Sequence, residues 1–261
     1  MNKIIAFANQ KGGVGKTTTS VNLAACLAAA RRRTLLVDLD PQGNATMGSG
    51  LDKHELEGSV LDVLLGEEGA ADVLIHSRAA GYDILPANGD LTLAEVRLMQ
   101  LQRREFRLRD ALSPLSERYD YILVDCPPSL NMLTVNALVA AQGVVIPVQC
   151  EYYALEGLSA LLKTIDRIRE SSNPKLEIEG LLRTMFDPRN NLANDVSREL
   201  TDHFGDHVFR TIIPRNVRLA EAPSYGKPVI HYEKNSTGAL AYIALAGEML
   251  RRAEPSIAGR T

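Results

Sequence analysis

The chain has no tryptophan, only three cysteines, and no apolar run of the length that a bilayer demands. Cys26, Cys126 and Cys150 form no C-x-x-C pair and are odd in number. That argues against a disulfide framework or a local structural metal site, and it reads as buried thiols in a reducing compartment. A spanning helix needs about 18 apolar residues, and the apolar stretch at residues 1–9 is also too short for a signal peptide. A cytoplasmic protein is expected. An excess of one charge is missing as well: 29 Lys and Arg stand against 32 Asp and Glu, a formal net charge of -3. Affinity for nucleic acid would therefore have to come from a local patch. Repeats, low-complexity segments and Pro/Gly-rich linkers are lacking too, so one domain over residues 1–253 is expected, followed by a flexible tail at 254–261.

What is present is 45% hydrophobic and 23% charged residues, the balance of a globular protein with a full core. Short apolar, β-branched runs fall at residues 3–9, 34–40, 82–86, 121–125, 143–149, 178–185 and 208–214. Helical patterns lie between or after them at 16–30, 105–117, 155–170, 194–204 and 237–252. This alternation predicts an α/β fold, a single doubly wound and mostly parallel sheet with helices on both faces. Residues 121–124 and 144–148 are apolar almost throughout, as in central strands covered on both sides. Arg31, Arg32 and Arg33 sit where the first helix should end, and they are expected to complement its dipole in preference to forming a binding patch.

The most specific feature is Gln10-Lys11-Gly12-Gly13-Val14-Gly15-Lys16-Thr17-Thr18, between the first strand and the first helix. A glycine-rich turn there lets backbone N–H groups close around phosphate oxygens, and the helix N-terminus adds its positive dipole end. Lys16 is expected on the β- and γ-phosphates of ATP and the Thr17 hydroxyl on Mg²⁺. The loop departs from the ordinary pattern, with Gln10 where glycine belongs and Lys11 as an additional lysine.

Two further strands end in carboxylates. Residues 35–40 run into Asp38 and Asp40, at the sheet edge where ligands of open α/β folds bind. Residues 121–125 end in Asp125 ahead of Cys126-Pro127-Pro128-Ser129, so Asp125 is a candidate for holding Mg²⁺ and the two prolines stiffen the loop behind it. Either carboxylate is alternatively an N-cap or turn residue, a reading that suits Asp38 better than Asp40.

Taken together, the loop from Lys11 to Thr18, Asp38-Leu39-Asp40-Pro41-Gln42-Gly43-Asn44, Asp125-Cys126-Pro127-Pro128-Ser129, residues 148–157 and Ile213-Pro214-Arg215-Asn216-Val217-Arg218 resemble the ParA/Soj chromosome-partitioning ATPases of the deviant Walker A kind. The resemblance runs from residue 3 to about 250. It implies an ATP hydrolase that forms a sandwich homodimer when ATP-bound, with Lys11 crossing to the partner's nucleotide, Asp40 positioning the attacking water and Asp38 as a supporting switch residue. It further implies nucleotide contacts from Lys11, Gly12, Gly13, Val14, Gly15, Lys16, Thr17 and Thr18, and adenine contacts from Met185, Pro214 and Asn216. Non-specific double-stranded DNA would be held by Arg189, Arg215 and Arg218, slow hydrolysis would be stimulated by a ParB-type partner, and the protein would be nucleoid-associated.

Two rivals share the nucleotide core. A MinD-like, membrane-associated regulator of division-site placement would need an amphipathic C-terminal helix, whereas residues 251–261 contain Pro255 and one bulky apolar residue, Ile257. An iron–sulfur carrier would need paired interfacial cysteines, which this spacing does not offer.

Overall fold

The computed structural model describes residues 2–152 and 154–253; the expected flexible tail lies outside them. Seven strands form one sheet: β1 (Lys3–Phe7), β2 (Thr34–Asp38), β3 (Ile75–Ser77), β4 (Tyr82–Leu85), β5 (Tyr121–Asp125), β6 (Gly143–Gln149) and β7 (Glu177–Thr184), in the order β3-β4-β2-β5-β1-β6-β7. Every pairing is parallel except that of β3 with β4, so the sheet is the expected mostly parallel one with an added antiparallel edge. The helices used below are α1 (Lys16–Ala29), α2 (Arg107–Leu112), α3 (Met132–Ala140), α4 (Ala154–Ser171), α5 (Asn191–Phe204), α6 (Val217–Glu221) and α7 (Thr237–Ala253).

The strands alternate their side chains between two cores, as a period of two requires. Ile5, Phe7, Leu36 and Leu123 pack with α1 and α7, where Leu23, Leu27, Tyr242 and Leu245 are buried. Ile4, Ala6, Val37 and Val124 face the other way, against Leu108, Leu138, Leu161 and Ile165. Register then places the chemistry. Asp125 is level with Phe7 at the end of β1 and with Asp38 at the end of β2, so the glycine loop and both carboxylate strands finish at one edge of the sheet.

Two expected elements differ. Residues 208–214 make only isolated bridges, Leu181 with Val208 and Phe186 with Pro214, in place of an eighth strand. The N–H groups of Arg210 and Thr211 donate instead to the Glu248 carboxylate, each at 2.9 Å, which removes them from any ladder. The helix expected over 105–117 breaks into α2 between two 3₁₀ turns, because Pro114 supplies no N–H and Ser113–Leu115 tightens around it. The sequence pattern also missed α3, which Asn131 caps by accepting from the Thr134 N–H.

Candidate nucleotide site

The loop after β1 turns through left-handed backbone at Gly13 (φ 74) and Gly15 (φ 85), positions that favour glycine because a Cβ would be strained there. Asn9 fixes its base: its Nδ2 donates to the Pro147 carbonyl at 2.8 Å, and its Oδ1 accepts from the Lys11 N–H at 3.0 Å. Thr184 at the end of β7 donates its hydroxyl to the Val14 carbonyl at 2.8 Å, tying the loop to the far side of the sheet. The first turn of α1 starts directly from this cradle, with its N–H groups aimed at it.

The two lysines of the loop have different surroundings. Lys16 is 6% exposed, and its ammonium donates to the Lys11 carbonyl at 3.2 Å. Burial lowers its pKa from the ordinary lysine value, opposed by the carboxylates of Asp125 and Asp40. Lys11 points outward and pairs with Glu151 beyond β6. Glu151 had no assigned role in the sequence, since the pairing joins residues 140 positions apart.

Around Lys16 the carboxylates divide their work. The Thr17 hydroxyl donates to Asp125 Oδ2 at 2.7 Å, while the buried Oδ1 of Asp125 has no hydrogen-bond partner. Burial pushes the Asp125 carboxyl up from the usual range, and the neighbouring Asp38 charge adds to the rise. A buried carboxylate oxygen without a partner, beside a hydroxyl and other acids, fits a divalent cation. No group of three or more His, Cys, Asp or Glu side chains among the described residues could enclose a metal alone. Such a cation would therefore draw its remaining oxygens from phosphate and water.

Asp38, the last residue of β2, braces the turn that follows it. Its Oδ1 accepts from the Asp40 N–H at 3.1 Å, and its Oδ2 accepts from both the N–H and the hydroxyl of Thr46 at 2.8 Å, which folds residues 40–46 back over β2. Asp40, 8% exposed, sits on that turn with Oδ1 accepting from the Gln42 N–H.

A cavity of about 200 Å³ opens beside the loop, lined by Gly15, Thr18, Met185, Pro214, Asn216, Leu219 and Tyr242, among others. The three residues expected around adenine thus lie together on one mostly apolar pocket. Met185 enters it with φ 48, an uncommon left-handed conformation for a side chain of its size. Asn216 contributes backbone and packing more than free polar atoms, because its Oδ1 caps α6 and its Nδ2 donates to Thr237. Tyr242 was missed in the sequence, where it reads as one more core position of the last helix; its hydroxyl lies 3.2 Å from that of Thr19.

Arg189 and Arg215 stand on adjoining segments joined by the Phe186–Pro214 bridge, and Arg218 follows in α6. All three are exposed. The cysteines are free and buried.

A backbone cradle at the end of a central strand, holding a buried lysine, with a carboxylate one strand away, makes this the fold of a P-loop ATPase. A family model described as "AAA domain" matches residues 2–178. The chromosome partitioning protein ParA of Myxococcus xanthus is 53% identical, over 97% of this chain and 89% of that protein. The sporulation initiation inhibitor protein Soj of Bacillus subtilis is also 53% identical, over 95% of this chain and 98% of that protein. Among solved structures, a Mycobacterium smegmatis protein described as cobyrinic acid a,c-diamide synthase, with a bound ATP analogue and magnesium, superposes with a TM-score of 0.85 at 39% identity, over 97% of this chain and 96% of that one. The chain belongs to the ParA/Soj family of chromosome-partitioning ATPases.

Proposed function

We propose that this chain, one domain over residues 1–253, binds ATP with Mg²⁺, dimerises face to face around the nucleotide, holds DNA without sequence preference in the dimeric state, and releases it after slow hydrolysis. The observation that carries this reading is the division of labour between two lysines of one loop: Lys16 buried in the cradle and Lys11 at the surface. A lysine directed away from its own cradle is suited to the nucleotide of a facing subunit, so each active centre stays incomplete until its partner arrives.

In this proposal Gly12 to Thr18 cradle the phosphates with backbone N–H groups, and the adenine lies between Met185, Pro214 and Asn216. Thr17 and Asp125 hold Mg²⁺, which neutralises phosphate charge when bound. Asp40 orients the attacking water in line with the γ-phosphate. Lys16, and Lys11 from the other subunit, stabilise the charge on the transferring phosphoryl group. Arg189, Arg215 and Arg218 meet the DNA backbone, which gives salt-dependent affinity without base readout. A ParB-type protein stimulates turnover, and the protein resides on the nucleoid in the cytoplasm. No helix among the described residues is long and apolar enough to cross a membrane. Residues 254–261 of the tail on which a MinD-like membrane role would depend lie outside the described residues, and liposome co-sedimentation with ATP tests that role directly.

The deciding experiment measures DNA binding by purified protein with ATP, with ADP and without nucleotide, alongside its oligomeric state. DNA binding confined to an ATP-dependent dimer is expected. ATP-saturated protein that remains monomeric, or DNA binding indifferent to nucleotide, would overturn the reading.

A further inference from the structure

Two of the arginines assigned to DNA are already engaged by carboxylates of their own chain. Arg189 donates through Nε and Nη2 to the two oxygens of Asp187 at 2.9 and 2.7 Å, so one full edge of its guanidinium is occupied. Arg218 donates through Nη1 to Glu221 Oε2 at 2.7 Å, three residues along α6, and the Tyr232 hydroxyl donates to the same oxygen at 3.2 Å. Both side chains remain open to solvent, 88% exposed for Arg189 and 50% for Arg218. Arg215, on the segment that joins them, forms no ion pair among the described residues.

A carboxylate offers a guanidinium the same paired-oxygen face as a phosphate diester, so the two compete for one donor edge. We propose that Asp187 and Glu221 act as in-chain competitors of DNA phosphate, holding Arg189 and Arg218 in internal pairs that must open before either arginine reaches the DNA backbone. The inference rests on the DNA role proposed above for these arginines. It adds that the affinity is restrained from within: Arg215 is ready to bind at once, whereas the other two exchange one anion for another and contribute less than free arginines would. Exposed pairs of this kind are weak, so they trim affinity without blocking it.

The restraint does not depend on pH in the physiological range. The hydrogen bond from Arg189 is the largest of the effects that hold the Asp187 carboxyl down to about 2, with the Arg215 charge a smaller contributor. The Arg218 hydrogen bond, and less strongly that of Tyr232, keep Glu221 below the usual carboxylate range. Both acids stay ionised, so salt and DNA concentration govern the exchange.

The test titrates full-length protein, saturated with ATP, against a mixed-sequence duplex over a range of salt. Asp187→Asn and Glu221→Gln keep an acceptor oxygen for the Arg189 N–H and the Tyr232 hydroxyl, yet remove the competing charge. Each is expected to tighten DNA binding roughly two- to fivefold. Each is also expected to steepen the salt dependence, because a guanidinium released from its carboxylate displaces counterions from DNA at full effect. Asp187→Asn in an Arg189→Ala background, and Glu221→Gln in an Arg218→Ala background, are expected to change nothing further. If the acid variants leave affinity unchanged, or tighten it equally with the arginine removed, competition is overturned while the DNA role stands. If Arg189→Ala and Arg218→Ala bind DNA as the wild type does, the role and the competition fall together.

Discussion

Lys11 Nζ lies 2.5 Å from Glu151 Oε2, and both side chains are part-exposed, at 40% and 47%. The loop lysine proposed to act on a facing subunit is thus tethered just beyond its own β6, and under that proposal dimerisation exchanges a carboxylate for a phosphate. Lys11→Ala is expected to bind ATP as a monomer and to lose ATP-dependent dimerisation. Glu151→Gln removes the tether and should dimerise at a protein concentration roughly two- to fivefold lower, in keeping with the weakness of exposed pairs. Light scattering with a non-hydrolysable ATP analogue reads both. Dimerisation of Lys11→Ala at wild-type concentration would take that lysine out of the interface.

Asp125 and Asp38 face each other in register across β5 and β2, both fully buried, and burial pushes both carboxyls up. A carboxyl with a raised native pKa binds its proton more tightly folded than unfolded. Its contribution therefore favours folding below the ordinary carboxylate pKa of about 4 and turns unfavourable as pH rises through the raised value. Asp125→Asn keeps an acceptor for Thr17 and removes the charge. Without nucleotide, the variant is expected to be more stable than the wild type by about 1–3 kcal/mol at pH 8, with a smaller difference at pH 5. Calorimetry of the two proteins across pH reads this difference, and the variant should also lose its Mg²⁺ dependence of nucleotide binding. A variant less stable than the wild type at pH 8 would show that Asp125 is held by contacts that outweigh its desolvation.

The cradle was legible because its glycines, Lys16 and Thr17 are adjacent in the chain and follow an apolar strand, so local pattern and chemistry coincide. The central strands were legible for the same reason. The Glu151 tether, the Thr19–Tyr242 contact and the hold of Glu248 on residues 210 and 211 were not, since each joins positions far apart and leaves no periodic trace. Residues 208–214 have the composition of a strand, but a carboxylate from α7 takes the N–H groups that a strand would need. Met185, Pro214 and Asn216 were placed through family resemblance alone, and the fold gathers them on one pocket.

Gly180 of β7 allows the 208–214 segment to lie close. A Cβ at this position would stand 2.6 Å from the Phe209 ring and 2.9 Å from the His207 carbonyl oxygen, and Phe209 is fully buried. Gly180→Ala is expected to destabilise by about 1–3 kcal/mol, lowering Tm on the order of 5 °C. Because the displaced segment leads into the pocket at Pro214, nucleotide affinity should fall with it. Gly157→Ala in α4 is the control: a Cβ there meets nothing within 4 Å, and the exchange in a helix should stabilise by about 0.5–1 kcal/mol. Equal Tm for the two variants would show that the close approach carries no cost.

Asp40 has two available roles, and one pair of substitutions separates them. Its Oδ1 accepts from the Gln42 N–H at 2.9 Å, as a turn residue would, yet its place on the turn after β2 also suits the orienting of water at a γ-phosphate. Asn keeps the turn acceptor and loses the charge, whereas Ala loses both. If Asp40 orients the water, both variants bind ATP and dimerise but hydrolyse about 10²- to 10⁴-fold more slowly, and under the proposed function they stay on DNA for longer. If Asp40 only closes the turn, Asp40→Asn hydrolyses as the wild type does, and Asp40→Ala fails first in thermal stability, by about 1 kcal/mol for one lost hydrogen bond. Single-turnover hydrolysis read against Tm distinguishes the two, and wild-type turnover in Asp40→Asn removes Asp40 from the chemistry.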